Sequence, residues 1–202
     1  MKIICIGRNY KDHAAEMKAE VPTEPVIFMK PDTAILKENT FYFPDFTSEV
    51  HYECELLVKI DRMGKHIDPE FAHKYYSSFG LGIDFTARDL QQKCKEKGLP
   101  WEIAKGFDQS AVISNHWIPK TGLDTTQLTF TFHQNGLLKQ EGHTQMMLFT
   151  IDQLIAYVST FITLKTGDII FTGTPAGVGP IKPGDLLVGH LMGKEMFSIQ
   201  IA

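Results

Sequence analysis

Between residues 50 and 60 the chain alternates: Tyr52, Cys54, Leu56, Val58 and Ile60 make one apolar row, and His51, Glu53 and Glu55 fall on the other. Side chains at i and i+2 of a strand share a face, so this period of two predicts a strand with one face in a core. Strand-sized apolar runs also lie near residues 2 to 6, in VIFMK within a proline-rich stretch (Pro22, Pro25, Pro31), and in SSFGLGIDF, which closes at Asp84. In the second half, LTFTFHQNGLLKQEG sets Asn135-Gly136 between two such runs and predicts a hairpin. Nearer the C-terminus, KTGDII and KPGDLL are two similar turns, each leading into a strand.

Helical period is confined to shorter pieces. Thr150 to Leu164 has apolar residues at 151, 154, 155, 158, 161 and 162, with Thr150 and Gln153 as a capping box. TARDLQQKCKEKG predicts a helix with Thr86 at its cap and Gly98 at its end, and Asp68-Pro69 starts another over IDPEFAHKYY. A short polar helical piece carries Asp12, His13 and Glu16; marginal in isolation, it is expected to order only over a ligand. No linker or low-complexity segment divides the chain. The expectation is one β-rich, mixed α+β domain over residues 1–202 with a few peripheral helices.

A length of 202 residues, with 43% hydrophobic and 22% charged, suffices for one well-buried core. A net charge of -4 without a basic cluster argues against nucleic acid as a partner. No apolar run approaches membrane-spanning length, and MKIICIG lacks the apolar region of an export signal. Cys5, Cys54 and Cys94 are widely spaced and form no CxxC, which reads as reduced, buried thiols in a cytoplasmic protein.

Two carboxylates side by side on one strand face repel unless a cation sits between them, and a hard dication such as Mg2+ is the usual answer. From the strand alone, an edge strand with an acidic solvent face explains Glu53 and Glu55 equally well. Asp84, at a strand end, supplies a third carboxylate. Three carboxylates and a dication leave one negative charge, which a nearby Lys105 would neutralise; Lys105 reads equally as an exposed strand residue. His13 and Glu16 are i, i+3 neighbours on a helix, although a surface histidine without a special role is the simpler reading of His13. The loop Gly173-Thr174-Pro175-Ala176-Gly177-Val178-Gly179-Pro180 matches no phosphate loop. It is either a tight connection or a place where backbone N–H groups and the Thr174 hydroxyl approach a carboxylate.

Taken in order, GRNY, His13 with Glu16, HYECEL, LGIDFTARDLQ, LPWEIAKGFD, QEGHT and DIIFTGTPAGVGP resemble the fumarylacetoacetate hydrolase superfamily, most nearly its short branch of acylpyruvases and oxaloacetate decarboxylases. The resemblance covers essentially the whole chain. It implies a β-sandwich-like roll, a homodimer, and Mg2+ or Mn2+ held by Glu53, Glu55 and Asp84 with Lys105 in the same site. It further implies that Arg8, Tyr10, Lys30, Arg88, Gln91 and Thr174 place or support a bound 2-keto acid. The helix with His13 and Glu16 resembles a mobile lid that carries a catalytic His–Glu pair. Two departures, His143 in the QEGHT turn and the missing proline in GFDQSAVIS, are expected to reshape the pocket rim.

The implied chemistry is metal-dependent cleavage of a carbon–carbon bond in a 2-keto acid, by hydrolysis of acylpyruvates or decarboxylation of oxaloacetate. Both leave the enolate of pyruvate, whose charge the ion stabilises as a Lewis acid. Only hydrolysis needs a base to activate water, the role that fits His13 oriented by Glu16. A keto–enol tautomerase or isomerase of the same superfamily would use that enolate without breaking the bond. A non-enzymatic module would hold a structural ion, a reading that the polar groups of His13, Lys105 and Thr174 argue against.

Overall fold

The computed structural model describes residues 1–16 and 20–202. In chain order, β1 (Ile3–Gly7) leads into α1 (Lys11–Glu16), and β2 (Val26–Lys30), β3 (Thr40–Phe41), β4 (Val50–Tyr52) and β5 (Cys54–Ile60) follow. Next come β6 (Tyr76–Asp84), β7 (Thr86–Ala87), α2 (Arg88–Lys97), α3 (Glu102–Lys105), β8 (Ala111–Ile113) and β9 (Ile118–Pro119). The hairpin β10 (Thr129–Gln134) and β11 (Leu137–His143) precedes α4 (Ile151–Phe161), and β12 (Ile169–Phe171), β13 (Gly179–Pro180), β14 (Leu186–Leu191) and β15 (Lys194–Ile201) close the chain.

The fold is mixed α+β and strand-rich, as the sequence predicts. One sheet runs β2-β1-β12-β5-β6-β8 with β9 also on β6; a second runs β11-β10-β14-β15-β3; and β13-β4-β7 form a small third sheet. The principal core lies between the two large sheets, where Leu56, Val58 and Leu81 meet Phe130, Phe132 and Leu187. The other face of the first sheet is covered too, by a smaller cluster of Ile3, Cys5, Leu57, Ile169 and Phe171. Strand β5 is therefore central and buried on both faces. An edge strand with a solvated acidic face is excluded.

Local chemistry accounts for most element ends. Asn135 and Gly136 have φ of 54° and 78°, the left-handed pair that a two-residue hairpin requires. Thr150 and Gln153 form the capping box of α4. Gly98 closes α2 at φ 63°, its N–H bonded to the carbonyls of Cys94 and Lys95. Three boundaries differ from expectation. The strand predicted over 50 to 60 breaks at Glu53, because β4 joins the small sheet while the Cys54 amide turns to the side chain of Gln140 at 3.0 Å. Thr86 is not the cap of α2 but lies in β7, and Ala87 precedes the helix without a side-chain cap. The segment after Asp68 is a 3-10 helix, Pro69–Lys74, whose first turn Asp68 caps through the Glu70 N–H at 2.9 Å. Among the described residues no helix is long and apolar enough to cross a membrane.

The β5–β6 register fixes the future site. Glu55 pairs with Gly82, and two residues on Asp84 N donates to Glu53 O at 2.8 Å, so three acidic residues share one sheet end. Gly82 is required there, since a Cβ would meet the Val112 carbonyl oxygen at 2.2 Å.

The two similar turns share one device. Asp168 accepts from Lys165 N at 2.7 Å and from Lys2 N at 2.8 Å; Asp185 accepts from Lys182 N at 2.9 Å and from Asn135 Nδ2 at 2.8 Å. Burial raises both carboxyl pKa values, but these hydrogen bonds outweigh it and hold both below the ordinary 3.8. A depressed pKa stabilises the fold above the unfolded value and the benefit is lost as pH falls through the folded one. Asp185→Ala should therefore cost about 1–3 kcal/mol at neutral pH and clearly less at pH near 3, read from urea midpoints. An equal loss at both pH values would show that the charge is not what holds the turn.

Candidate active site

Glu53 and Asp84 project from opposed positions on adjacent strands, and Glu55 lies one alternation further along β5. One carboxylate oxygen from each lies within 4.8 Å of the others, and all three residues are buried. Three cations answer them. Lys105, on the short helix α3 and only 2% exposed, donates to Glu53 Oε2 at 2.8 Å, Asp84 Oδ2 at 2.7 Å and Thr86 Oγ1 at 2.6 Å. It is not an exposed strand residue. Arg88, at the start of α2, donates to Glu53 Oε1 at 2.7 Å. Lys30, at the end of β2, reaches Asp84 Oδ1 at 2.8 Å and donates to Ser110 Oγ, Phe85 O and Lys105 O. The sequence-level charge count saw only Lys105; Lys30 and Arg88 complete the balance.

The carboxylates are not equivalent. Burial raises the pKa of Glu53, but Lys105 and Arg88 outweigh it and hold the group well below the usual carboxylate range. Burial and then the charges of Asp84 and Glu53 push Glu55 well above that range. The Glu55 side chain accepts only the Gly173 N–H, at 2.6 Å, and no cation touches it among the described residues. Asp84 Oδ1, although beside Lys30, is left without an aligned hydrogen bond. Converging hard oxygen donors, one carboxylate of which no cation touches among the described residues, together with one orphaned lone pair fit a hard dication.

The loop after β12 and the helix α1 close over this trio. Thr174 Oγ1 donates to Cys54 O at 2.8 Å and accepts from Gln140 Nε2 at 2.7 Å, so Gln140 ties the acidic strand to the glycine-rich loop. Helix α1 seats by a shared carboxylate: Glu16 accepts from Gly177 N at 3.1 and 3.2 Å, and its Oε2 lies 3.3 Å from His13 Nδ1. His13 is buried and faces the cleft, with Glu16 at its rim.

Of the residues singled out from sequence, Arg8, His13, Glu53, Glu55, Arg88, Gln91, Lys105 and Thr174 line one cleft. Tyr10, Glu16, Lys30 and Asp84 do not. Tyr10 lines a neighbouring pocket, its buried hydroxyl without a partner among the described residues and its pKa pushed up by burial and then by Glu55. His143 also stays off the cleft, where its Nδ1 caps a 3-10 turn through Gln145 N at 3.1 Å. Sequence reasoning missed Phe28, Trp101 and Lys95, which complete the lining. For Lys95 a signal existed: Arg88, Gln91 and Lys95 follow helical spacing and share one face of α2.

The family model described as fumarylacetoacetate (FAA) hydrolase C-terminal matches residues 2–198. The chain belongs to this family. Fumarylacetoacetate hydrolase relatives include the human mitochondrial oxaloacetate tautomerase FAHD1, 44% identical over 201 residues that cover 98% of this chain and 90% of that protein. The mitochondrial oxaloacetate decarboxylase of Dictyostelium discoideum is 41% identical over 197 residues, 96% of this chain and 90% of that protein. A Pseudomonas aeruginosa fumarylpyruvate hydrolase, solved in complex with Mn2+ and pyruvate, superposes with a TM-score of 0.94 at 32% identity, covering 100% of this chain and 89% of that one.

The asymmetry of the trio makes a prediction about Glu55. A raised folded pKa means that carrying the charge costs stability as pH climbs above 4.5. In chelator, Glu55→Gln should melt at or above the wild-type temperature at neutral pH. Added Mg2+ or Mn2+ should stabilise the wild type, by about 2.7 kcal/mol at a hundredfold excess over Kd, and leave Glu55→Gln unmoved. A variant that still gains stability from the ion would exclude Glu55 as a ligand.

Proposed function

We propose that this chain is a divalent-metal enzyme that cleaves carbon–carbon bonds of 2-keto acids, hydrolysing acylpyruvates or decarboxylating oxaloacetate. The observation that carries this reading is the buried carboxylate trio, two of whose members, Glu53 and Glu55, line a cleft with Arg88, Lys105 and His13. Glu53, Glu55 and Asp84 would hold Mg2+ or Mn2+; the second is supported by the ion named in the P. aeruginosa complex. That ion supplies Lewis-acid stabilisation of negative charge developing on a keto oxygen.

The remaining groups have definable tasks. The three cations already balance the trio, so a dication gives the site a surplus of two positive charges, suited to a keto acid's carboxylate and its developing oxyanion. Lys105 bridges Glu53 and Asp84 and, with Arg88, holds the Glu53 carboxyl well below its usual range against the effect of burial. Arg88 and Gln91, joined at 2.7 Å, present a polar edge to the keto acid. Tyr10 and Lys30 act from outside the cleft, supporting Glu55 and Asp84. With Nδ1–H held by Glu16, His13 keeps Nε2 free to take a proton from water, the step that hydrolysis requires and decarboxylation does not. The buried free thiols support a reducing cytoplasm, and the family resemblance supports a homodimer over a single catalytic domain.

A second reading, keto–enol tautomerisation of the same substrates, is favoured by the name of the human relative. Here His13 would move a proton at C3 and no carbon would be lost.

The deciding experiment assays acetylpyruvate, fumarylpyruvate and oxaloacetate with each ion and with chelator, following carbon–carbon cleavage and C3 proton exchange separately. Metal-dependent cleavage is expected, and His13→Ala should lower acylpyruvate hydrolysis by about 100-fold or more while decarboxylation falls much less. Exchange without cleavage selects the tautomerase. Turnover that survives chelator would remove the metal from the mechanism.

A further inference from the structure

Beyond the trio and its three cations, the cleft holds two more positive side chains, Arg8 and Lys95. Both are half-buried, and among the described residues neither lies within ion-pair distance of a carboxylate. Their placement is not accidental packing. Arg8 has φ 59°, a left-handed backbone that a non-glycine residue rarely keeps without enforcement. The enforcement comes from Asn9, whose side chain donates to Thr172 O at 2.8 Å and Phe149 O at 3.1 Å and accepts from Phe149 N at 2.8 Å. Lys95 follows Arg88 and Gln91 on the cleft face of α2, its ammonium 5.8 Å from the Trp101 ring. Burial and then the charges of Arg88 and Arg8 push its pKa below the ordinary value, and the more distant pull of Glu53 does not offset this crowding of like charges. Phe28 and Trp101, 6.0 Å apart, supply an aromatic wall in the same cleft.

A simple keto acid uses its charge at the trio and leaves Arg8 and Lys95 unanswered. We propose that Arg8 and Lys95 form a second-anion subsite that receives a terminal carboxylate at the far end of the 2-keto acid, with Lys95 setting the preference for doubly charged over singly charged substrates. Hydrocarbon between the two carboxylates would lie against Phe28 and Trp101. The assignment rests on the reading that the trio end of the cleft takes a 2-keto acid.

Two six-carbon probes separate the two claims by calorimetry on the Mn2+-supplied protein: 2-oxoadipate, with a carboxylate tail, and 2-oxohexanoate, with a methyl tail. The wild type should bind 2-oxoadipate about tenfold or more tightly than 2-oxohexanoate, Lys95→Met should erase that preference while changing 2-oxohexanoate by less than about threefold, and Lys95→Arg should keep it. Thermal melts of both variants report whether they fold. Binding of both probes without preference, or an equal loss of both in Lys95→Met, overturns the subsite alone. Failure of the wild type to bind either probe overturns the keto acid reading and the subsite with it.

Discussion

The pairing of β5 with β6 is the constraint from which the rest follows. One backbone hydrogen bond, Asp84 N to Glu53 O, sets two acidic residues side by side, and the alternation of β5 adds Glu55. A register slip of one residue would send these side chains to the opposite face, into the hydrocarbon between the large sheets. The bulk of the core thus fixes which way the acids point, and burial of three of them on one face would be untenable without compensation.

Compensation arrives from three directions and is uneven. Lys105 comes from α3, Arg88 from α2 and Lys30 from the strand on the far side of β1, while Glu55 receives only a backbone N–H from the loop after β12. That loop is itself tied to the acidic strand by Gln140, whose amide group spans Cys54, Thr174 and Pro175. The arrangement resembles a socket whose walls are set by the sheets and whose lining comes from loops and short helices.

Much of this was legible in the chain, because period-two alternation and turn residues act locally. The hairpin at Asn135-Gly136, the capping box of α4 and the glycine end of α2 follow from neighbouring residues alone. The break at Glu53 was not legible, since it depends on Gln140, 86 positions away. Thr86 carries the sequence signature of a cap, but its hydroxyl is taken by Lys105, a tertiary contact that overrides the local preference. The acidic trio stood out by type and spacing. Its counter-ions Lys30 and Arg88 did not, because a lysine at the end of a strand and an arginine at the start of a helix look like ordinary solvated residues until the fold buries them.

The seating of α1 concentrates two contacts in one group. One carboxylate, Glu16, serves both the imidazole of His13 and the amide of Gly177. His13 and Glu16 ride on the same helix, so the ring and its partner keep their relation to one another, and the Gly177 contact fixes where the pair sits. A change at residue 16 would therefore loosen the aim of the ring and the mooring of the helix together.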